Sequence, residues 1–160
     1  MADINVAMTL WFSRALSATE GNATQELLLE DVSERVEEGS DLPSAIHAVT
    51  GHDPRAGDFG VEVAGSLVAM ALLEGLKTFW AAYTKEIEEK AGKSLADATV
   101  EFVKSKFKHD IASTAAPAIE SKIKDSISDA ATKLNIDPAA IAPALKAVGP
   151  TLAETKDTDN

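Results

Sequence analysis

The chain has 160 residues, of which 45% are hydrophobic and only 5% aromatic, and its formal net charge is −11. Such a length and apolar content suit one packed domain and exclude a disordered chain; the lack of cysteine excludes thiol chemistry, disulfides and cysteine-held metals. Residues 1–58 hold eleven acids against three bases (11 − 3, a net −8), and so acidic a surface repels phosphate backbones, which argues against nucleic acid as a partner.

Helix starts and stops can be followed in chain order. Asp3 is placed to cap a first helix with Ile4, Met8, Trp11, Phe12 and Ala15 on one stripe, ending near Gly21. Asn22 or Thr24 starts a second, with Leu28, Val32 and Val36 inward and Glu30, Asp31, Glu34, Glu37 and Glu38 outward, until Gly39 stops it. Ser40 or Asp41 caps a short third helix with Pro43 in its first turn, where a missing N–H costs nothing, and Gly51 closes it. Glycine and proline in residues 51–58 bar a regular element.

Asp58 then caps the longest helix, Phe59 to Ala91, stopped by Gly92. Ser94 and Asp97 resemble a capping box for the next, which carries Leu95, Ala98, Phe102, Val103 and Ile111 and ends before Pro117. Pro117 opens a helix with Ile119, Ile123, Ile127, Ala131 and Leu134 on one face, ended by Asn135. Asp137-Pro138 restarts a short helix that Gly149-Pro150 ends, leaving a polar segment from Thr151.

No stretch alternates with period two, so strands are not expected. The fold class is all-α: a compact bundle of about six helices around a central hydrophobic helix at residues 59–91. Residues 1–150 form a single helical domain, and residues 151–160 form a polar, disordered tail. Ala15-Leu16-Ser17-Ala18 faintly resembles a signal-peptidase site, but Asp3 and Arg14 are misplaced for an export signal, so a cytoplasmic location is expected.

The central helix differs from the others in being apolar on nearly all faces. Val63, Leu67, Val68, Met70, Leu72, Leu73, Phe79, Trp80 and Tyr83 are its candidate partner or membrane contacts, and only Glu62, Glu74 and Lys77 interrupt with charge. Between Glu62 and Glu74 lie eleven uncharged residues, against about twenty needed to cross a bilayer. A buried core helix is therefore the first expectation. Gly65 with Ala69, and Ala71 with Gly75, set small residues four apart, which lets a second helix come close. Glu62 and Glu74 lie in apolar sequence, where desolvation raises a carboxyl pKa, and they are the candidate pH-sensitive groups.

Motifs for catalysis or cofactors are not found. None of the histidines, His47, His52 and His109, follows a Glu at the Glu-x-x-His spacing of a di-iron bundle, and His47 and His52 lack the four-residue spacing of a helical zinc site. No nucleophile elbow or phosphate-cradling glycine loop occurs, and Asp58-Phe59-Gly60 spells a kinase magnesium motif without any other kinase part. Lys104, Lys106, Lys108 and His109 form a small basic cluster, read as a solvated helix face. No cofactor or metal is expected. The sequence places a non-enzymatic interaction or assembly module first, with a protein partner or self-association. A membrane-active protein using helix 61–83 comes second, and a carrier of a small apolar ligand third; a cavity beside the central helix would distinguish the carrier.

Overall fold

In the computed structural model, which describes residues 4–50, 64–91 and 100–157, the chain is all-α. Seven helices are present among the described residues: α1 (Ile4–Glu20), α2 (Ala23–Glu37), α3 (Leu42–Thr50), α4 (Ala64–Ala91), α5 (Val100–Ile111), α6 (Ala116–Lys133) and α7 (Pro138–Asp157). The expected caps at Asp3 and Asp58, the stop at Gly51, the loop at 51–58 and the capping box at Ser94 lie outside the described residues.

The described helix ends follow from local chemistry. After α1, Gly21 takes φ +77, a left-handed conformation costly for other residues, and the Asn22 amide closes the end on the Ser17 carbonyl at 3.2 Å. The Asn22 side chain then accepts from the Gln25 amide at 3.0 Å and caps α2. Asp41 does the same for α3 through the Ser44 amide. Pro117 sits in the first turn of α6, and Asn135 ends that helix with a positive φ.

The C-terminal end departs from expectation. Helix α7 does not stop at Gly149-Pro150 but continues through Pro143 and Pro150 to Asp157. Burial accounts for this: Val148, Thr151, Leu152 and Thr155 pack into the bundle, and tertiary contacts outweigh the backbone bonds that the prolines cannot make. Packed structure thus extends past residue 150.

Two hydrophobic clusters share α4. In one, Val68, Ala71, Leu72, Leu76, Phe79, Trp80, Tyr83 and Ile87 meet α1, α5, α6 and α7; in the other, Ala69, Met70 and Leu73 meet α1, α2 and α3. From Val68 to Leu76 the helix therefore buries two faces, which is why its sequence there is apolar nearly all round. It still keeps a solvent stripe, made of Glu74, Lys77, Thr78, Ala81, Ala82 and Lys85. Glu74 is exposed on that stripe, which corrects the apolar surroundings expected for it.

Helices α4 and α6 run antiparallel, with Gly75 against Ile127 toward one end and Glu86 close enough to feel the Lys122 charge toward the other. A Cβ on Gly75 would stand 2.6 Å from the Ile127 Cα and 2.8 Å from the Ser126 carbonyl oxygen, so the two backbones are in direct contact. Across the first cluster, Trp11, Phe12, Phe79, Trp80, Tyr83 and Phe107 form one continuous aromatic group, with Trp80 and Phe107 centroids 4.7 Å apart.

Candidate functional site

Helix α5 has its backbone neighbours on α7 and α1 and, more sparsely, α6; it meets α4 through the Phe107 ring and through a hydrogen bond from Tyr83 to Asp110. This wedge holds the α5 backbone off α4. The gap becomes a cleft of about 570 Å³ between the second half of α4, α5 and the first half of α6. Small side chains leave it open, since Ala82, Ala115 and Ala118 stand where bulkier residues would close it.

The floor comes from α4 and α6. Phe79, Tyr83 and Ile87 recur every fourth residue on one α4 row, and Ile119 faces them from α6. The neighbouring α4 row, Thr78, Ala82, Glu86 and Lys90, forms the upper wall. From Thr78 to Lys90 that row rises roughly 18 Å along the helix. Phe102, Lys106 and Asp110 line the α5 side at the same four-residue spacing, and Lys122, Asp125 and Ser126 the α6 side. The cleft is apolar at its base and ringed by charges of both signs, the composition of a small-molecule site.

Its polar centre is Asp110. The Tyr83 hydroxyl donates to Asp110 Oδ2 at 2.5 Å, and Lys106 Nζ donates to Oδ1 at 3.3 Å. At the rim, Lys90 Nζ and Glu86 Oε1 form a 2.9 Å ion pair. That hydrogen bond holds the Glu86 carboxyl below the usual carboxylate range, with Lys122 adding to the effect. Exposed pairs of this kind contribute little to stability; they set the charge the cleft presents.

Burial pushes the Tyr83 phenol well above its ordinary value of 10.0, and the hydrogen bond to Asp110 and the charges of Asp110 and Glu86 act in the same direction. Tyr83 is the chain's one tyrosine, so tyrosinate absorbance reports on it alone. With a folded pKa above the unfolded one, the phenol's contribution to stability is complete below about pH 10 and is lost as the pH rises beyond it. Titration of the native protein should therefore give no tyrosinate signal up to about pH 11, and the signal should appear together with loss of helical circular dichroism. A tyrosinate signal near pH 10 in a fully helical protein would mean a solvated phenol.

Of the residues singled out in the sequence, Val63 and Glu62 lie outside the described residues, and Leu67 is half-buried. Val68, Met70, Leu72, Leu73, Phe79, Trp80 and Tyr83 are core, and Phe79 and Tyr83 also border the cleft. Phe102, named among the apolar residues of its helix, stands 37% exposed at the lip; Phe107, one turn of helix past Val103, is buried. Sequence reasoning missed Phe107, Asp110 and the cleft face of α6. Their signal was the parallel series Val103-Phe107-Ile111 and Phe102-Lys106-Asp110, a buried row beside a half-exposed one.

The basic cluster on α5 is divided. Lys104 lies over the Trp11 ring, 5.0 Å from its centroid, and Lys106 is tied to Asp110. Among the described residues, no group of three or more His, Asp or Glu is placed to hold a metal ion, and no helix is long and apolar enough to cross a membrane. No protein-family model, curated protein or solved structure matches the chain.

Proposed function

We propose that the protein is a non-enzymatic binding protein whose ligand, a small and mainly apolar molecule, sits in the cleft between α4, α5 and α6. The observation that carries this reading is the cleft itself. About 570 Å³ of space with an aromatic and aliphatic floor lies directly beside the central helix, within the range of about 300–1,000 Å³ typical of small-molecule sites. Tyr83, Lys106 and Asp110, and Lys90 with Glu86, satisfy one another instead of converging on a reacting atom, which favours holding over turnover.

Assembly through a protein partner has narrower support. Leu27, 64% exposed on α2, and Phe102 are the large exposed hydrophobic residues among those described, and they stand on separate helices. Membrane insertion of α4 has less support still, because Val68, Met70, Leu72, Leu73, Phe79, Trp80 and Tyr83 are all committed to the two cores.

The test uses Nile red, a neutral apolar dye that brightens out of water. The wild-type protein should bind it saturably and gain melting temperature in excess dye, since a ligand that binds only the folded state stabilises it. Ala82 and Ala118 are exposed and line the cleft, so tryptophan at either fills the space without disturbing the core. Ala82→Trp and Ala118→Trp should each weaken dye binding by about tenfold or more with an unchanged melting temperature in the absence of dye. Equal binding by wild type and both variants, or none by wild type, defeats the reading.

A further inference from the structure

Resting on the ligand-binding reading above, we propose that the cleft selects an uncharged, ring-shaped apolar molecule carrying a hydroxyl group, whose O–H donates to the Asp110 carboxylate.

Charge around the cleft is balanced. Lys90, Lys106 and Lys122 face Glu86, Asp110 and Asp125, three cations against three carboxylates around one cleft. Glu86 is held by Lys90, and Asp110 by Lys106, each one helical turn away. At Lys90 and Lys106 a ligand carboxylate gains the lysine only by meeting its partner, and at Glu86 and Asp110 a ligand ammonium meets the same obstacle with the signs reversed, while Lys122 and Asp125, three residues apart on α6, add one charge of each sign. A charged head also loses its hydration on entry, a cost that a balanced rim does not offset. The whole chain, at −11, further repels anionic ligands such as fatty acids.

The polar centre has acceptors to spare. An ionised carboxylate has about four acceptor positions. Asp110 uses one on each oxygen, for the Tyr83 hydroxyl and the Lys106 ammonium, and its side chain is 23% exposed toward the cleft. The Tyr83 proton is given to Asp110, so the phenol offers a ligand only its oxygen lone pairs. What this centre lacks is therefore a donor, and a hydroxyl on an apolar body supplies one without bringing charge. A hydrogen bond to an ionised acceptor is stronger than one between neutral groups.

The floor is aromatic. Phe79 and Tyr83 are nearly parallel, 15° apart with centroids at 5.8 Å, and Phe102 stands at the lip. A rigid ring system suits an aromatic floor better than a flexible chain, which loses more conformational freedom on binding.

The experiment is competition against bound Nile red at neutral pH by four molecules of one shape: naphthol, naphthalene, naphthoate and naphthylmethylammonium. Naphthol should displace the dye at about one tenth the concentration that naphthalene needs, and the two charged analogues should be no better than naphthalene. In Asp110→Ala, naphthol should fall to the affinity of naphthalene while naphthalene itself is unchanged. Tyr83→Phe keeps the ring and frees an acceptor position, so the preference for naphthol should persist there. Should Asp110→Ala fail to fold, the ranking of the four molecules on wild type still decides. A preference for either charged analogue, naphthol no tighter than naphthalene, or equal losses of naphthol and naphthalene in Asp110→Ala would overturn the proposal. Nile red bound but undisplaced by all four also overturns it while leaving the ligand-binding reading intact; failure of Nile red to bind removes that reading as well.

Discussion

Alanine in place of Gly75 is expected to destabilise the protein by about 2 kcal/mol, measured by urea unfolding followed by circular dichroism. Two opposing effects decide the sign. Within a helix, glycine to alanine gains about 1 kcal/mol of propensity, and Gly75 lies in the middle of α4. Against this, the new methyl would stand 2.6 Å from the Ile127 Cα, 2.8 Å from its amide nitrogen and 2.8 Å from the Ser126 carbonyl oxygen. All three are backbone atoms of α6, so no rotamer change relieves the clash and the helices must separate. Overpacking in a close-packed interior costs typically about 1–3 kcal/mol, and a contact with rigid backbone belongs at the upper end, which leaves the net loss.

Gly149 supplies the control for that argument. It too is helical, but its added Cβ would meet Glu120 Oε1 at 2.9 Å, the far end of a side chain that can swing away. Gly149→Ala should therefore be neutral or slightly stabilising. If Gly75→Ala matches it, the close approach of α4 and α6 is not what the helix positions imply.

How far the sequence could be read is clear from the same helices. The small-residue spacing of Ala71 and Gly75 announced a close helix neighbour, and Ala71 is buried while Gly75 touches α6. The inward row of α6, Ile119, Ile123, Ile127 and Ala131, was legible because its period is unbroken and its residues are branched or small. The solvent stripe of α4 was not, because Ala81 and Ala82 count as apolar in a sequence while standing exposed in the structure. This made the helix look more uniformly buried than it is and hid the cleft wall that Ala82 forms. The continuation of α7 was masked in the opposite way: Gly149 and Pro150 are helix breakers by local chemistry, and only the packing of Thr151, Leu152 and Thr155 overrides them. The cleft was beyond reach of periodicity, since it arises where α5 fails to pack closely on α4, a property of three helices together.

That gap is also why Phe107→Ala should be more damaging than its place on a short helix suggests. Phe107 is fully buried, with its centroid within 6.3 Å of those of Trp11, Phe12, Phe79, Trp80 and Tyr83. Removing so enclosed an aromatic ring costs about 3–5 kcal/mol, a large fraction of the stability of an ordinary domain. The loss should be uneven, because this ring is the aromatic contact that joins α5 to α4, beside the Tyr83–Asp110 hydrogen bond. Amide exchange in the variant should accelerate first over Val100–Ile111, while α6 keeps protection closer to that of the native protein. Nile red binding should drop further than global unfolding accounts for, since α5 carries Phe102, Lys106 and Asp110 into the cleft. Phe102→Ala provides the comparison: its ring is partly exposed at the lip, so it should weaken dye binding with little change in stability. Uniform loss of exchange protection across all helices in Phe107→Ala would instead mean that α5 is held by its contacts with α1 and α7, and the wedge would no longer explain the cleft.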